Sequence, residues 1–197
     1  MNKKVLQGKE TKKKLLDCAK KLFEERGYSN VTVDDIIKES GSSKGGFYTH
    51  FKTKELLLID LFPLVDDVYT DFISRENLPE NSIDKISLFL QYVFEFIEKR
   101  VGLEFISVIY SAQIKDLSAE RIAIDTERKY YNILSILIEE GKKKNEIVSD
   151  MTVDEIKSVF TTCIRGAIYD WCLYKGDFSL SDYGNKILNI LLNRIKI

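Results

Sequence analysis

Residues suited to binding an anion lie close together near the start of the chain. Thr32 and Ser43 each precede a short segment with helical spacing of apolar residues, which predicts that they cap helix N-termini. Backbone amides and the positive end of the helix dipole attract phosphate at such positions. Lys44 follows where the dipole disfavours a cation, and Gly45 and Gly46 each cost a helix roughly 1 kcal/mol relative to alanine. These features favour an anionic partner that approaches the backbone closely.

The side chains after Phe47 extend the same predicted surface. Phe47 and Phe51 stand four residues apart, so both are expected on the inner side of one short helix. The intervening Tyr48, Thr49 and His50 are thereby turned toward the opposite side. These three side chains are therefore expected to be available to the same anionic partner.

Two short helices joined by a tight turn must position these side chains. The turn Gly41-Ser42-Ser43 separates a helix that begins after Thr32 from one that runs from Lys44 to about Phe51. This arrangement is typical of a helix-turn-helix. Helices of this length are unstable alone, so a preceding helix must complete the core. Its predicted apolar face consists of Leu15, Leu16, Ala19, Leu22 and Phe23, and Gly27 is expected to end it.

The charge of the chain is unevenly distributed. Over 197 residues the formal net charge is −1. Residues 1–60 contain 13 Lys and Arg against 9 Asp and Glu, whereas residues 61–197 contain 17 against 22. A basic first segment favours a polyanion partner at that end of the chain.

Patterns for catalysis, metal binding and membrane insertion are lacking in the sequence. His50 is the only histidine, and Cys18, Cys163 and Cys172 form no Cys-x-x-Cys pair. No glycine-rich phosphate loop occurs, and the carboxylates show no recognisable pairing. No segment approaches the roughly 20 apolar residues of a membrane span, and the first residues lack a secretory signal. We expect a cytoplasmic protein that is not an enzyme, with no metal site, cofactor or membrane partner.

The remainder of the chain is predicted to be helical almost throughout, which makes the fold class all-α with about nine helices. Pro63 should kink or divide the fourth helix. Further helices are predicted at about 82–100, 103–114, 118–144, 152–175 and 180–196.

An ordered set of residues through the first third of the chain matches a known motif: Ala19, Phe23, Gly27, Tyr28, Thr32, Val33, Ile36, Gly41, 43–48, 50–52 and 54–56. This set resembles the DNA-binding head of TetR-type transcriptional regulators. The chain departs from the pattern at Ser42, where the family usually has an apolar residue. The resemblance implies a DNA-binding head at 8–60, joined by a long fourth helix to a helical effector-binding and dimerisation domain at 61–197.

The resemblance also implies how such a protein works. Two heads of a homodimer would enter successive major grooves of a palindromic operator, and we expect a repressor that a small molecule releases. Lys54 corresponds to a phosphate-binding lysine of the family. The expected DNA contacts are Thr32, Ser43, Lys44, Gly45, Gly46, Tyr48, Thr49, His50 and Lys54. The alternative is a helical small-molecule-binding or scaffold protein without operator binding.

Aromatic residues are concentrated in the expected effector domain, where 17 of the 22 lie beyond residue 60. They favour a small apolar or aromatic effector, although packing in the core is the alternative role for each. The candidate effector contacts are Tyr92, Phe96, Phe105, Tyr131, Phe160 and Trp171.

The final helix carries apolar residues over more than half of its circumference. A terminal helix of a monomer needs only one apolar stripe, so this one is expected to bury a second side, against a partner copy or against its own chain. Paired with the 152–175 helix it would form half of a four-helix dimer interface. The residues assigned to that interface are Ile168, Ile187, Leu191 and Ile195.

Overall fold

The computed structural model describes residues 3–61, 66–115, 121–148 and 150–197. Over these residues the fold is all-α, which confirms the predicted class, and the extended pairing in them is one antiparallel bridge between Ile147 and Lys196. A π-helical turn, Ile97–Val101, continues α6, and a 3-10 turn, Ile122–Ile124, precedes α8. The helices are α1 (Lys3–Arg26), α2 (Val33–Ser40), α3 (Lys44–His50), α4 (Lys54–Leu61), α5 (Asp67–Ile73), α6 (Ser82–Phe96), α7 (Leu103–Lys115), α8 (Lys129–Lys143), α9 (Val153–Leu173) and α10 (Leu180–Ile195).

The described residues fall into two compact units. The first unit lies within Met1–Leu64 and Ser111–Ile122, and the second within Val65–Tyr110 and Ala123–Ile197. The first therefore contains the helix-turn-helix, and the second contains the helices expected to bind an effector. Pro63 and the kink predicted there lie outside the described residues.

In the first unit, α1 packs against α2, α3 and α4. Phe47 of α3 is fully buried and Phe51 is 2% exposed, with their ring centroids 5.7 Å apart. Leu15 and Ala19 of α1 are also buried, as the apolar spacing predicts. The predicted three-helix core is therefore present, and it fixes which side of α3 faces outward.

The predicted helix ends in the first unit are confirmed, with one extension. Gly27 and Gly41 adopt left-handed φ angles of 78° and 62°, directly after α1 and α2. However, α1 begins at Lys3, well before Leu15, where the apolar pattern starts. Six of residues 3–14 are Lys and none is proline, so helix propensity extends α1 without an apolar face to signal it.

In the second unit, α6 packs against α8 and α10. The approach of α10 is closest at Gly184, where an added Cβ would lie 2.3 Å from the Phe94 ring of α6. Real Cβ atoms do not come this close to a neighbour, so the contact requires glycine. α9 packs against both α8 and α10, which completes the unit.

The helix predicted over 118–144 is not continuous. Its described part contains the 3-10 turn Ile122–Ile124 and a polar turn, and α8 begins only at Lys129. The Asp125 carboxylate accepts a hydrogen bond from the Glu127 amide at 2.9 Å, an arrangement that competes with helical pairing. Residues 116–120 lie outside the described residues.

A buried ion pair connects the starts of α5 and α8. Arg128 Nε donates to Asp66 Oδ2 at 2.8 Å, and Arg128 Nη2 donates to Asp66 Oδ1 at 2.5 Å. The two side chains are only 8% and 4% exposed. Burial alone would lower the pKa of Arg128, but the hydrogen bonds that it donates to the Asp66 carboxylate raise its pKa above the ordinary value, so Arg128 stays charged.

Breaking this pair should destabilise the protein strongly. Arg128→Gln leaves the Asp66 carboxylate buried without its cation, and we expect a loss of about 3–5 kcal/mol in the free energy of unfolding, measured by urea denaturation. As a control, Lys99→Gln removes an exposed i,i+4 partner of Glu95 and should change stability by less than about 0.5 kcal/mol. Equal effects of the two substitutions would show that the buried pair has no special role.

Candidate nucleic-acid interface

The side chains of Thr32 and Asp35 cap the N-terminus of α2. The Thr32 hydroxyl accepts from the Asp35 amide at 3.1 Å, and the Asp35 carboxylate accepts from the Thr32 amide at 2.8 Å. Hydrogen bonds from the Thr32 side chain and backbone lower the pKa of Asp35. Asp34 also lies in this first turn, so two carboxylates of the chain already occupy the positive end of α2. Thr32 is thus the N-cap that the sequence predicts, and its hydroxyl is already hydrogen-bonded to the Asp35 amide.

The start of α3 differs because its first turn contains no acidic residue. The Ser43 hydroxyl accepts from the Gly46 amide at 3.0 Å, which confirms the second predicted cap. Lys44 is exposed, and its nearest carboxylate in the described residues is Asp34 at 3.8 Å, with both side chains largely in solvent. Such a pair contributes little and leaves the ammonium available to another anion.

The two glycines of α3 have different surroundings. A Cβ at Gly46 would lie 3.2 Å from the Ser43 hydroxyl, so this glycine makes room for the cap. A Cβ at Gly45 would meet nothing within 4 Å. Packing within the chain therefore does not require glycine at position 45. A partner molecule that comes close to the backbone there would require it.

The outward face of α3 contains the predicted contact side chains. Tyr48 is 49% exposed, and its ring is held by an edge-to-face contact with the buried Phe47, with centroids 5.3 Å apart. Thr49 is exposed and donates to the Gly45 carbonyl at 2.7 Å. His50 is half-buried and lies toward the edge of this face.

Lys54 has a structural role that the sequence did not indicate. Its ammonium donates to the carbonyls of Tyr28 and Val31, each at 2.9 Å, and lies 3.8 Å from the centroid of the Tyr28 ring. These contacts hold the turn between α1 and α2 against α4. Only its remaining N–H is left for the predicted phosphate contact.

The turn that departs from the family pattern is held by polar contacts. The buried Ser40 hydroxyl donates to the Ile37 carbonyl at 3.1 Å and accepts from the Ser42 amide at 3.3 Å. Ser40 therefore fixes the turn where an apolar residue at 42 would otherwise anchor it.

The candidate effector residues of the second unit do not line one common pocket. Tyr92, Phe96 and Tyr131 belong to an aromatic cluster around Tyr69 and Tyr130, with ring contacts of 5.0–6.1 Å. Phe105 is half-buried on α7, and Phe160 is buried on α9. Trp171 is also buried, and its indole N–H donates to the Phe178 carbonyl at 3.0 Å, which is a structural contact.

Polar groups lie within this aromatic cluster. Burial raises the pKa of both Tyr69 and Tyr130 well above the ordinary value, so both hydroxyls stay neutral. The Tyr130 hydroxyl is fully buried, and no described residue offers it a hydrogen-bond partner. Such a group suits contact with a polar atom from outside the chain.

The second unit also contains an open cavity of about 460 Å³ between the 3-10 turn, α8 and α9. Of the predicted effector residues, Tyr131 lies in its wall. The lining residues are Ile124, Thr126, Tyr131, Asp154, Lys157, Ser158, Thr161 and Arg165.

Two of the four residues assigned to a dimer interface point into their own protomer. Ile168 and Ile195 are each 3% exposed, because the apolar stripes of α9 and α10 are wide enough to cover α6 and α8 as well as an outer face. Ile187 and Leu191 are half-buried. The large apolar side chains that are exposed on the same helices are Val159, Tyr169, Leu173 and Ile190.

Two negative findings apply to the described parts of the chain. No helix there is long and apolar enough to cross a membrane. Nor do three or more His, Cys, Asp or Glu residues there come together as a metal-binding group.

Comparison with known proteins shows which proteins this chain is similar to. Residues 15–61 match the sequence model of the bacterial regulatory proteins of the tetR family. The chain is 26% identical over 165 residues to the transcriptional regulator QacR of Staphylococcus aureus, covering 80% of this chain and 84% of QacR. It is 25% identical over 185 residues to the fatty acid metabolism regulator protein of Bacillus subtilis, covering 92% and 93%.

A solved structure shows the same fold over nearly the whole length. The Thermus thermophilus repressor FadR, crystallised with lauroyl-CoA, superposes with a TM-score of 0.66 at 13% identity, covering 92% of this chain and 93% of FadR. The helix-turn-helix that exposes Lys44, Gly45 and Tyr48 thus occurs in a chain that is similar to transcriptional regulators over most of its length. Residues 15–61 thus match the DNA-binding head of the tetR family, and over most of its length the chain is similar to DNA-binding transcriptional regulators of the TetR type.

Proposed function

We propose that this regulator is a homodimeric repressor in the cytoplasm that binds a palindromic operator and is released by a small molecule. The observation that carries the proposal is the outward face of α3. Lys44, Gly45, Tyr48 and Thr49 are exposed there together, while Phe47 anchors the opposite side.

The chemistry of this face suits a major groove. Lys44 supplies a cation with only a weak partner in the described residues, and Tyr48 supplies a hydroxyl on a ring that is held in place. The open space above Gly45 lets the α3 backbone come close to the edge of a base pair or a phosphate. Phosphate contacts would fix the register, and a few side chains would read the bases.

Dimerisation is supported by an exposed stripe on α9. Val159, Thr162, Gly166, Tyr169 and Leu173 are exposed at alternating spacings of three and four residues, which is typical of a helix that packs against another along its length. On α10, Ile190 is 72% exposed beside the half-buried Ile187 and Leu191. A two-fold dimer through α9 and α10 would present two α3 helices to half-sites about 34–36 Å apart.

Release requires a ligand that binds the DNA-incompetent state more tightly than the DNA-binding state. The aromatic cluster and the cavity of the second unit provide candidate places for it. FadR of Thermus thermophilus is a repressor crystallised with lauroyl-CoA, which supports the idea that a related fold accepts a small molecule. Selection of bound duplexes from random DNA, followed by a screen of metabolites for release, tests the whole proposal and separates it from a scaffold protein without an operator.

Adding one methyl group at position 45 should weaken operator binding without harming the fold. Gly45→Ala gains up to about 1 kcal/mol of helix propensity and meets no atom of the chain. We expect an unchanged or slightly higher melting temperature and at least a tenfold lower affinity for the selected operator, measured by fluorescence anisotropy. Retained affinity would remove close backbone approach from the mechanism.

Operator binding should weaken steeply as salt concentration rises, because each neutralised phosphate releases counterions. Lys44→Ala should lower the slope of log affinity against log salt by about 1 for each half-site that Lys44 contacts. The control Lys20→Ala removes an exposed lysine of α1 and should leave the slope unchanged. An identical slope for wild type and Lys44→Ala would exclude a phosphate contact by this lysine.

Charges on the exposed stripes of α9 and α10 should dissociate the dimer. We expect Tyr169→Glu combined with Ile190→Glu to sediment as a monomer and to lose cooperative binding to the two half-sites. The control Ile114→Glu places a charge at a residue of α7 that is 65% exposed and should remain dimeric. A stable dimer of the double variant would place the interface elsewhere.

A further inference from the structure

The open cavity of the second unit is lined mainly by polar side chains, although an apolar or aromatic effector was expected. Ile124 is the aliphatic residue of the lining, and four residues that carry a hydroxyl group, Thr126, Tyr131, Ser158 and Thr161, form much of the rest. Such a lining favours a ligand with a strongly polar group rather than a wholly apolar one.

The cations of this lining differ in how they are neutralised. Lys157 lies 2.7 Å from the Asp154 carboxylate and donates to the Ser135 hydroxyl at 3.1 Å. Arg165, two helical turns further along α9, donates to the hydroxyls of Tyr131 at 2.9 Å and Thr162 at 3.0 Å. Both acceptors of Arg165 are uncharged, and no carboxylate of the described residues forms an ion pair with it.

The Tyr131 hydroxyl cannot take over the role of a counterion. Tyr131 is 4% exposed, and its hydroxyl already donates to the Ala123 carbonyl at 2.6 Å while it accepts from Arg165. The contact therefore orients the guanidinium and leaves its charge uncompensated. The half-buried Arg165 keeps further N–H donors in a planar fork that matches a carboxylate or a phosphate.

Two other arginines of the described residues have the carboxylate partner that Arg165 lacks. Arg128 is paired with Asp66 in the core, and Arg194 is paired with Asp150 on the surface. Partial burial of a cation is unfavourable unless an anion accompanies it. A cavity with room for a small molecule next to such a cation points to a ligand that supplies the anion.

We propose that this cavity binds the anionic group of the effector, a carboxylate or a phosphate, with Arg165 as the principal contact. Lys157 is already paired with Asp154, so Arg165 supplies the uncompensated positive charge of the lining, to which Ser158 also belongs. The inference rests on the proposed effector-released regulator and specifies the chemistry of its ligand: an anionic group is required in addition to any apolar part.

Matched small probes test this proposal. Benzoate and phenyl phosphate carry the two candidate anionic groups, and benzamide has nearly the shape of benzoate without its charge. We expect the full-length protein to bind at least one of the two anions about tenfold more tightly than benzamide, measured by isothermal titration calorimetry at low salt. The stronger of the two anions identifies whether the site takes a carboxylate or a phosphate.

Substitutions then assign the contact to Arg165. Arg165→Gln keeps hydrogen-bonding groups but removes the charge, and it should lower the affinity for the preferred anion about tenfold. Arg165→Lys should restore part of that loss, and the surface control Arg194→Gln should bind as the wild type does. Circular dichroism of each variant verifies that it is folded.

Three results would overturn the proposal: benzamide binding as well as the anions, neither anion binding in the millimolar range, or undiminished affinity of folded Arg165→Gln. Failure of the proposed function gives a different result, because it would appear as absence of operator binding by the wild type without any ligand. Arg165→Gln without ligand should bind the selected operator as the wild type does.

Discussion

Burial of Phe47 and Phe51 is the constraint on which the helix-turn-helix depends. With both rings in the core, α3 cannot rotate without exposing one of them, so Lys44, Tyr48 and Thr49 must face outward. A seven-residue helix has too little hydrogen bonding of its own to keep this orientation. The core of the first unit therefore determines the geometry of the surface that we propose contacts DNA.

The second unit differs from the first because it contains buried charged and hydroxyl groups close to aromatic rings. Asp66 and Arg128 neutralise each other, so they stabilise the junction of α5 and α8 without attracting a ligand. Arg165 and the Tyr130 hydroxyl lack such complete compensation in the described residues. The distinction between paired and unpaired polar groups separates the structural interior from the part suited to binding.

Local signals made the first unit predictable. The Thr32 cap, the Gly41 stop and the four-residue spacing of Phe47 and Phe51 each act within one helical turn, and the structure contains all of them. They identify the fold of the head and the face of α3 from sequence alone.

Interactions between distant parts of the chain were not predictable in this way. Asp66 meets Arg128 across 62 positions, and the Lys54 ammonium reaches carbonyl oxygens whose location no side-chain pattern reveals. The burial of Ile168 depends on how much of the apolar face of α9 the neighbouring helices cover. The polar character of the cavity likewise appears only after α8, α9 and the 3-10 turn are brought together.

The glycine at position 184 limits how the second unit can change shape. Because the Phe94 ring occupies the space of a side chain there, sliding α10 along its axis would drive Tyr183 or Asn185 into that ring. α6 and α10 must then move as one rigid piece. A rearrangement that a bound molecule induces within this unit is therefore expected to leave the packing of α10 against α6 unchanged.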